Sequence, residues 1–235
     1  MTLLTTEIHR TAEGHVIVFA ADQRITRDGA PSGSRQKVFR VPGCNVGVGY
    51  FGLAEVCPGG TVQPMSEWLQ DLFYEVRPGT SPAHVAALLC ERVNLAVPRE
   101  WRDSEHSGFH VAGLGSDGRA EFWFVRNLND DGSLTHRAYE IREDFKSRDE
   151  PVLPANAVQI YRNGDVRAHV VAWEQIDTSF GSLLGQQSFR ALTSTADYVD
   201  WVKFKMELVA QFYERFAVES IIGAPIDAFA IAAGA

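Results

Sequence analysis

The feature that most constrains this chain is the apolar run His15-Val16-Ile17-Val18-Phe19-Ala20-Ala21, which breaks off in Asp22-Gln23-Arg24. Its hydrophobicity is continuous rather than alternating, and a strand of that kind is buried on both faces. Ahead of it stand Thr5, Thr6, Glu7, Ile8, His9 and Arg10, a β-prone stretch closed by Ala12-Glu13-Gly14, so the two runs read as a hairpin. That hairpin carries the N-terminus inward. Methionine before a residue as small as Thr2 is usually trimmed, which leaves a free α-amine on a hydroxyl amino acid. After a loop containing Gly29, Pro31, Ser32, Gly33 and Ser34 comes Lys37, followed by a second apolar run, Val38-Phe39-Arg40-Val41.

Charges at the end of a doubly buried strand need a reason, because unpaired ions in a core cost on the order of several kcal/mol. Two readings stand side by side. Asp22, Arg24 and Lys37 form a mutually satisfied structural triad, or a buried lysine of depressed pKa helps to make a threonine hydroxyl nucleophilic. A lone hydroxyl needs a base at neutral pH, and a free N-terminal amine supplies one.

The pattern strand-Ala20-Ala21-Asp22-x-Arg24-x-Thr26, then Lys37-Val38-Phe39, then an apolar strand ending in Gly52-Leu53-Ala54, resembles the β-type subunits of the 20S proteasome and the ring peptidase of bacterial ATP-dependent proteases. These are N-terminal-nucleophile (Ntn) hydrolases. The resemblance covers residues 2–56 and, more weakly, 177–232. It implies an α+β fold, a four-layer αββα sandwich of two mainly antiparallel sheets. It also implies one domain over residues 1–235, with a diverged insertion around 127–175. The implied activity is that of a threonine peptidase without a cofactor, acting on peptides or proteins inside a homo-oligomeric ring served by an ATPase or other activator.

Carried over residue by residue, the resemblance assigns Asp22 and Lys37 to tuning the nucleophile and leaves Arg24 as their structural charge partner. It gives the Gly52 N–H to the oxyanion and puts Tyr50 either in the substrate pocket or in the core. Ser182 falls on the serine near the threonine amine, and Glu219 replaces the family's second aspartate. The closing stretch, Ile221-Ile222-Gly223-Ala224-Pro225-Ile226-Asp227, carries Ile222 and Ala224 where the family has serine and glycine. Gly14 and Asp22 are further apart than in the family, and an antiparallel partner must lengthen equally to end level with Asp22. Counting back on that basis favours Thr2 as nucleophile, with Thr5 as the alternative and Thr6 left open.

The rest of the chain alternates helical and strand patterns. Residues 45–51 read as a strand in which Gly47 and Gly49 admit something close to the backbone. Helices are expected over 64–76 and, capped by Ser81 with Pro82 in the first turn, from there to just before Pro98. Phe109–Gly113 and Arg119–Val125 read as a hairpin about Asp117-Gly118. His110 in that hairpin is expected to be a satisfied core or surface histidine. A strand is expected at 137–142, and a second hairpin about Asn163-Gly164 pairs 158–161 with 166–173. A short helix over 183–192 and a long one capped by Thr195 precede a terminal strand, and the long helix bears an apolar stripe from Val202 to Phe216. Trp201 and Phe204 lie partly off that stripe, which predicts exposed aromatic surface and self-association.

Composition narrows the partners. With 22 basic against 30 acidic residues and a net charge of −8, the chain lacks the basic face that phosphate binding needs, so no nucleic-acid partner is expected. Cys44, Cys57 and Cys90 have no close-spaced pair and suit a reducing compartment, with neither a zinc site nor a disulfide framework. No apolar stretch approaches a membrane span and no signal-peptide profile is visible, so the expected location is cytoplasmic.

Overall fold

In the computed structural model, residues 2–27, 30–146, 157–164, 173–219 and 221–233 are described. They form a mixed α+β fold with two principal sheets. The apolar hairpin becomes β1 (Leu3–Thr11) and β2 (Gly14–Asp22), turning at Ala12-Glu13. The chain then makes a small ribbon of β3 (Arg24–Arg27) and β4 (Ala30–Ser34), and continues into β5 (Val38–Arg40) and β6 (Val46–Phe51). A second ribbon, β7 (Glu55–Val56) with β8 (Gln63–Pro64), brackets a single 3-10 turn over Pro58–Gly60.

Three helices follow: α1 (Met65–Tyr74), α2 (Pro82–Ala96) and α3 (Arg99–Ser104). Ser81 caps α2 by accepting from the His84 N–H, with Pro82 in the first turn, where its missing N–H does no harm. Next come β9 (Gly108–Leu114) and β10 (Ala120–Arg126), the predicted hairpin, followed by β11 (Glu140–Lys146) and β12 (Val158–Gly164). The chain closes with α4 (Trp173–Leu184), α5 (Thr195–Phe216) and β13 (Ile226–Ala232).

The first sheet has the order β12-β1-β2-β13 and the second β11-β10-β9-β6-β5, with every neighbouring pair antiparallel. Three apolar clusters hold them. Leu4, Ile17 and Phe19 of the first sheet pack with Val38, Ala112 and Phe122 of the second. The other side of the second sheet, through Val48, Tyr50 and Val111, meets Leu69, Leu89 and Val93 of α1 and α2. Val16 and Val18 on the remaining side of the first sheet meet Val202, Met206 and Val209 of α5, and a fully buried side chain of this size contributes about 1.5–3 kcal/mol. This explains the continuous apolarity of β2. From Val16 to Ala21, odd and even residues alternate between two cores, so none of these six faces water. Gly47 and Gly49 are the counterpart on β6, where a Cβ would collide with Phe19 and Leu4 of the first sheet.

Several expectations shift. The strand expected at 137–142 lies at Glu140–Lys146. Residues 165–172 lie outside the described residues, so the expected pairing of 158–161 with 166–173 is only partly visible. Its last member, Trp173, opens a helix, and Val158–Gly164 pairs with β1. The helix expected at 183–192 lies earlier, because Trp173, Ile176 and Phe180 set a helical period and Gly185 follows its last residue. Ser194, not Thr195, caps α5, in a reciprocal box with Asp197. The stripe of α5 is buried only in part, leaving Phe212 64% and Phe216 70% exposed, and Phe204, off the stripe, is 49% exposed as expected. Among the described residues, no helix is long and apolar enough to cross a membrane.

Candidate functional site

The site is built where β2 ends. Asp22 is the last residue of a strand buried on both sides, and its carboxylate is fully enclosed. Chain geometry then brings Lys37 back to it. The β3–β4 ribbon leaves after Gln23 and returns so that the Arg35 N–H donates to Gln23 O at 2.8 Å. Two residues on, Lys37 is 1% exposed, and its Nζ donates to Asp22 Oδ1 at 3.0 Å and to Arg24 O at 2.7 Å.

The same Asp22 Oδ1 accepts from the Leu3 N–H at 2.7 Å, which ties the pair to the residue next to Thr2. Thr2 itself is buried, and Met1 lies outside the described residues. Asp22 Oδ2 is buried without a hydrogen-bond partner among the described residues. Burial pushes the Asp22 carboxyl up and the Lys37 amine down, while the contact between them opposes both shifts.

The structure sorts the other candidates. Arg24 does not bond the Asp22 carboxylate through its guanidinium. Its Nη1 donates to Ile222 O at 3.1 Å and its Nη2 pairs with Glu214 at 2.8 Å, fastening the closing stretch beside the site. The side chain of Arg24 lies so close to Gly223 that a Cβ there would collide with it. Among the described residues, a carboxylate reaching this corner is Glu214, whereas Glu219 is exposed, and Ile222 is buried in the α5 core.

Ser182 is exposed on α4, and its hydroxyl donates to Thr178 O, one turn back in the same helix, at 2.8 Å. Its bond therefore stays within α4 rather than joining Thr2, Asp22 or Lys37. Thr5 is fully buried, and its hydroxyl is unpartnered among the described residues. Thr6 instead bonds His110 Nδ1 at 2.9 Å, and His110 Nε2 meets Asn163 Oδ1 at 2.5 Å. These are core contacts, as expected for His110.

Gly52 has φ +86°, and a Cβ there would collide with His106 O, so only glycine fits without strain. Tyr50 is core. Its ring packs with Phe39, its hydroxyl reaches Gln36 O at 3.4 Å, and burial pushes its phenol far up. A separate open cleft of about 690 Å³ lies next along the chain from these groups. Its walls include Ile25 and Thr26 after Arg24, Arg35 before Lys37, Ala54 and Glu55 after Gly52, and Trp101.

A second buried ionic cluster went unnoticed in the sequence. Glu7 on β1 is fully enclosed and accepts from Lys205 Nζ through both oxygens at 2.8 and 3.1 Å, with Arg162 at 3.4 Å and His9 at 3.2 Å. Asp177 completes it, at 2.8 Å from Lys205 and 2.6 Å from Arg162. Burial alone pushes the Glu7 carboxyl up, but the bonds and charges of His9 and Lys205 outweigh it and hold it at about 2. The available signal was Lys205 on the same helical face as Val202 and Val209, a charge in an apolar stripe.

Among the described residues, no group of three or more His, Cys, Asp or Glu side chains could hold a metal ion. No protein-family model and no curated protein matches the chain.

Proposed function

We propose that this chain is a threonine-type Ntn hydrolase of four-layer αββα architecture, cleaving peptide or amide bonds through Thr2. The observation that carries this reading is the Leu3 N–H bonded to Asp22 Oδ1, because it ties the buried acid–lysine pair to the peptide unit that follows Thr2. With Met1 removed, the Thr2 amine, directly or through a water, takes the hydroxyl proton as Oγ1 attacks a substrate carbonyl. The Gly52 N–H stabilises the oxyanion, the amine returns the proton to the leaving nitrogen, and water releases the acyl group from Thr2. Lys37 keeps the amine neutral by its positive charge, and Asp22 fixes Lys37. The three apolar clusters, one between the sheets and one outside each, support the layered architecture.

A second reading is a binding or scaffold subunit of the same architecture whose site has decayed. It is favoured by the exposed positions of Ser182 and Glu219 and by the apolar Ile222. In either case the exposed Phe204, Phe212 and Phe216 of α5 support a homo-oligomeric ring.

Intact-mass measurement paired with hydrolysis of fluorogenic peptides tests the proposal. The expected results are a chain starting at Thr2, measurable hydrolysis, and loss of that hydrolysis in Thr2→Ala with the melting temperature unchanged. A retained Met1 with no hydrolysis points to the decayed subunit, and loss of activity in Thr5→Ala alone moves the nucleophile. Light scattering on the same preparation checks the ring, which a mass near one 26.0 kDa chain would remove.

A further inference from the structure

The Asp22–Lys37 pair is steadied from outside by a residue of α5. Lys37 Nζ donates to the Arg24 carbonyl at 2.7 Å, so the place of that carbonyl helps to set where the lysine head sits beside Asp22. The Arg24 side chain is clamped in turn. Its Nη2 donates to Glu214 Oε1 at 2.8 Å, in the last turn of α5, and its Nη1 donates to Ile222 O at 3.1 Å. The same Glu214 oxygen accepts from the Ala224 N–H at 3.3 Å, and the guanidinium lies where a Cβ on Gly223 would stand. Pro225 O then accepts from the Gln23 N–H at 3.0 Å, between Asp22 and Arg24 in the chain. One carboxylate oxygen thus gathers Arg24 and the closing stretch behind the bond that Lys37 makes.

Charge runs along the same line. Burial, above all, pushes the Lys37 amine down, and the Arg24 charge adds to that push. A carboxylate bonded to Arg24 offsets part of the Arg24 charge. We infer that Glu214 is a positioning residue for the Asp22–Lys37 pair and acts on it through Arg24. The inference rests on reading that pair as the one that tunes Thr2, so its test measures Lys37 itself as well as hydrolysis.

The lysines of the chain are Lys37, Lys146, Lys203 and Lys205, few enough for carbon-13 labelling to resolve each Cε by NMR, and Lys37→Arg identifies the signal of Lys37. The Glu214 side chain is 37% exposed, so replacing it opens no core cavity. In Glu214→Ala the Lys37 signal should titrate at lower pH than in the parent, because the Arg24 charge is no longer offset. In the same variant kcat for fluorogenic peptides should fall about ten- to a hundredfold with KM unchanged, the result of a small displacement at a reacting group. Glu214→Gln keeps an acceptor for Arg24 and Ala224 but not the charge, so it should move the titration likewise and retain most of kcat. Glu207→Ala is the control. It removes an acid about 10 Å nearer the start of the same helix, where it pairs with Lys203, and should leave both readouts with the parent. A Lys37 titration that stays with the parent in Glu214→Ala, or moves equally in Glu207→Ala, overturns the inference whatever happens to hydrolysis. A moved titration with the full parental kcat in Glu214→Ala makes Glu214 a charged neighbour only and overturns it too. A titration that moves while even the parent hydrolyses nothing upholds the link to Lys37 and removes the threonine reading instead.

Discussion

Two buried ion pairs share the first sheet, and they are built to opposite specifications. Around Glu7, two acids face two permanent cations, with His9 besides, and both Glu7 oxygens are taken by Lys205. Around Asp22, one lysine serves one acid, the second carboxylate oxygen is unpartnered among the described residues, and the remaining bond goes to the backbone beside Thr2. The larger cluster holds its carboxyl at about 2, whereas the sparse one leaves burial pushing its acid up and its lysine down. Burial of charge alone therefore does not mark a site. A cluster that bonds both oxygens of its central acid cements β1 and β12 to α4 and α5, while the sparse pair leaves one carboxylate oxygen unbonded among the described residues.

The contrast breaks most visibly in a pair of lysine variants. Lys37→Ala should lower peptide hydrolysis by about three orders of magnitude or more, since groups acting as one unit fail together. Lys205→Ala should leave turnover per folded molecule unchanged and lower stability by about 3–5 kcal/mol, the usual consequence of stranding a buried partner. Chemical denaturation and active-fraction assays on both variants check this. Full turnover in Lys37→Ala, or a dead but fully stable Lys205→Ala, would reverse the assignment of the two pairs.

Acid sharpens the comparison. The Glu7 carboxyl sits at about 2 when folded against 4.5 otherwise, so its contribution is fully present above 4.5 and drains away as pH falls towards 2. That contribution is on the order of 3 kcal/mol. Asp22, moved upward by burial, contributes a slope of the opposite sign. Melting curves between those pH limits should therefore fall less steeply for Glu7→Gln than for the parent, and parallel curves would refute the depressed carboxyl.

The smallest expected effect is at Ser182. Its hydroxyl is exposed and bonded within its own helix, so Ser182→Ala should change stability by no more than about 0.5 kcal/mol and hydrolysis by less than about twofold. A hundredfold loss of hydrolysis would put Ser182 back beside Thr2.

Local chemistry is what the amino-acid order made legible. The apolar run 15–21 announced a strand buried on both sides, Gly14 its turn, Ser81-Pro82 a helix start, and Asp117-Gly118 a hairpin, and each stands in the fold. Asp22 and Lys37 were legible for the same reason, as charges adjoining apolar runs must find one another. Three-dimensional partners were not legible in this way. The order of residues does not reveal that Arg24 would choose Glu214, that Glu7 would meet Lys205, or that β12 would flank β1.

Ser182 marks the boundary between the two. Counting along the chain put it near Thr2, but the helix carrying it began earlier and turned its hydroxyl onto Thr178. Periodicity and turn chemistry act over a few residues and so can be read from the sequence alone. Contacts nearly two hundred positions apart depend on how whole sheets and helices stack, and only the assembled core of β1, β2, β6 and α5 decides them.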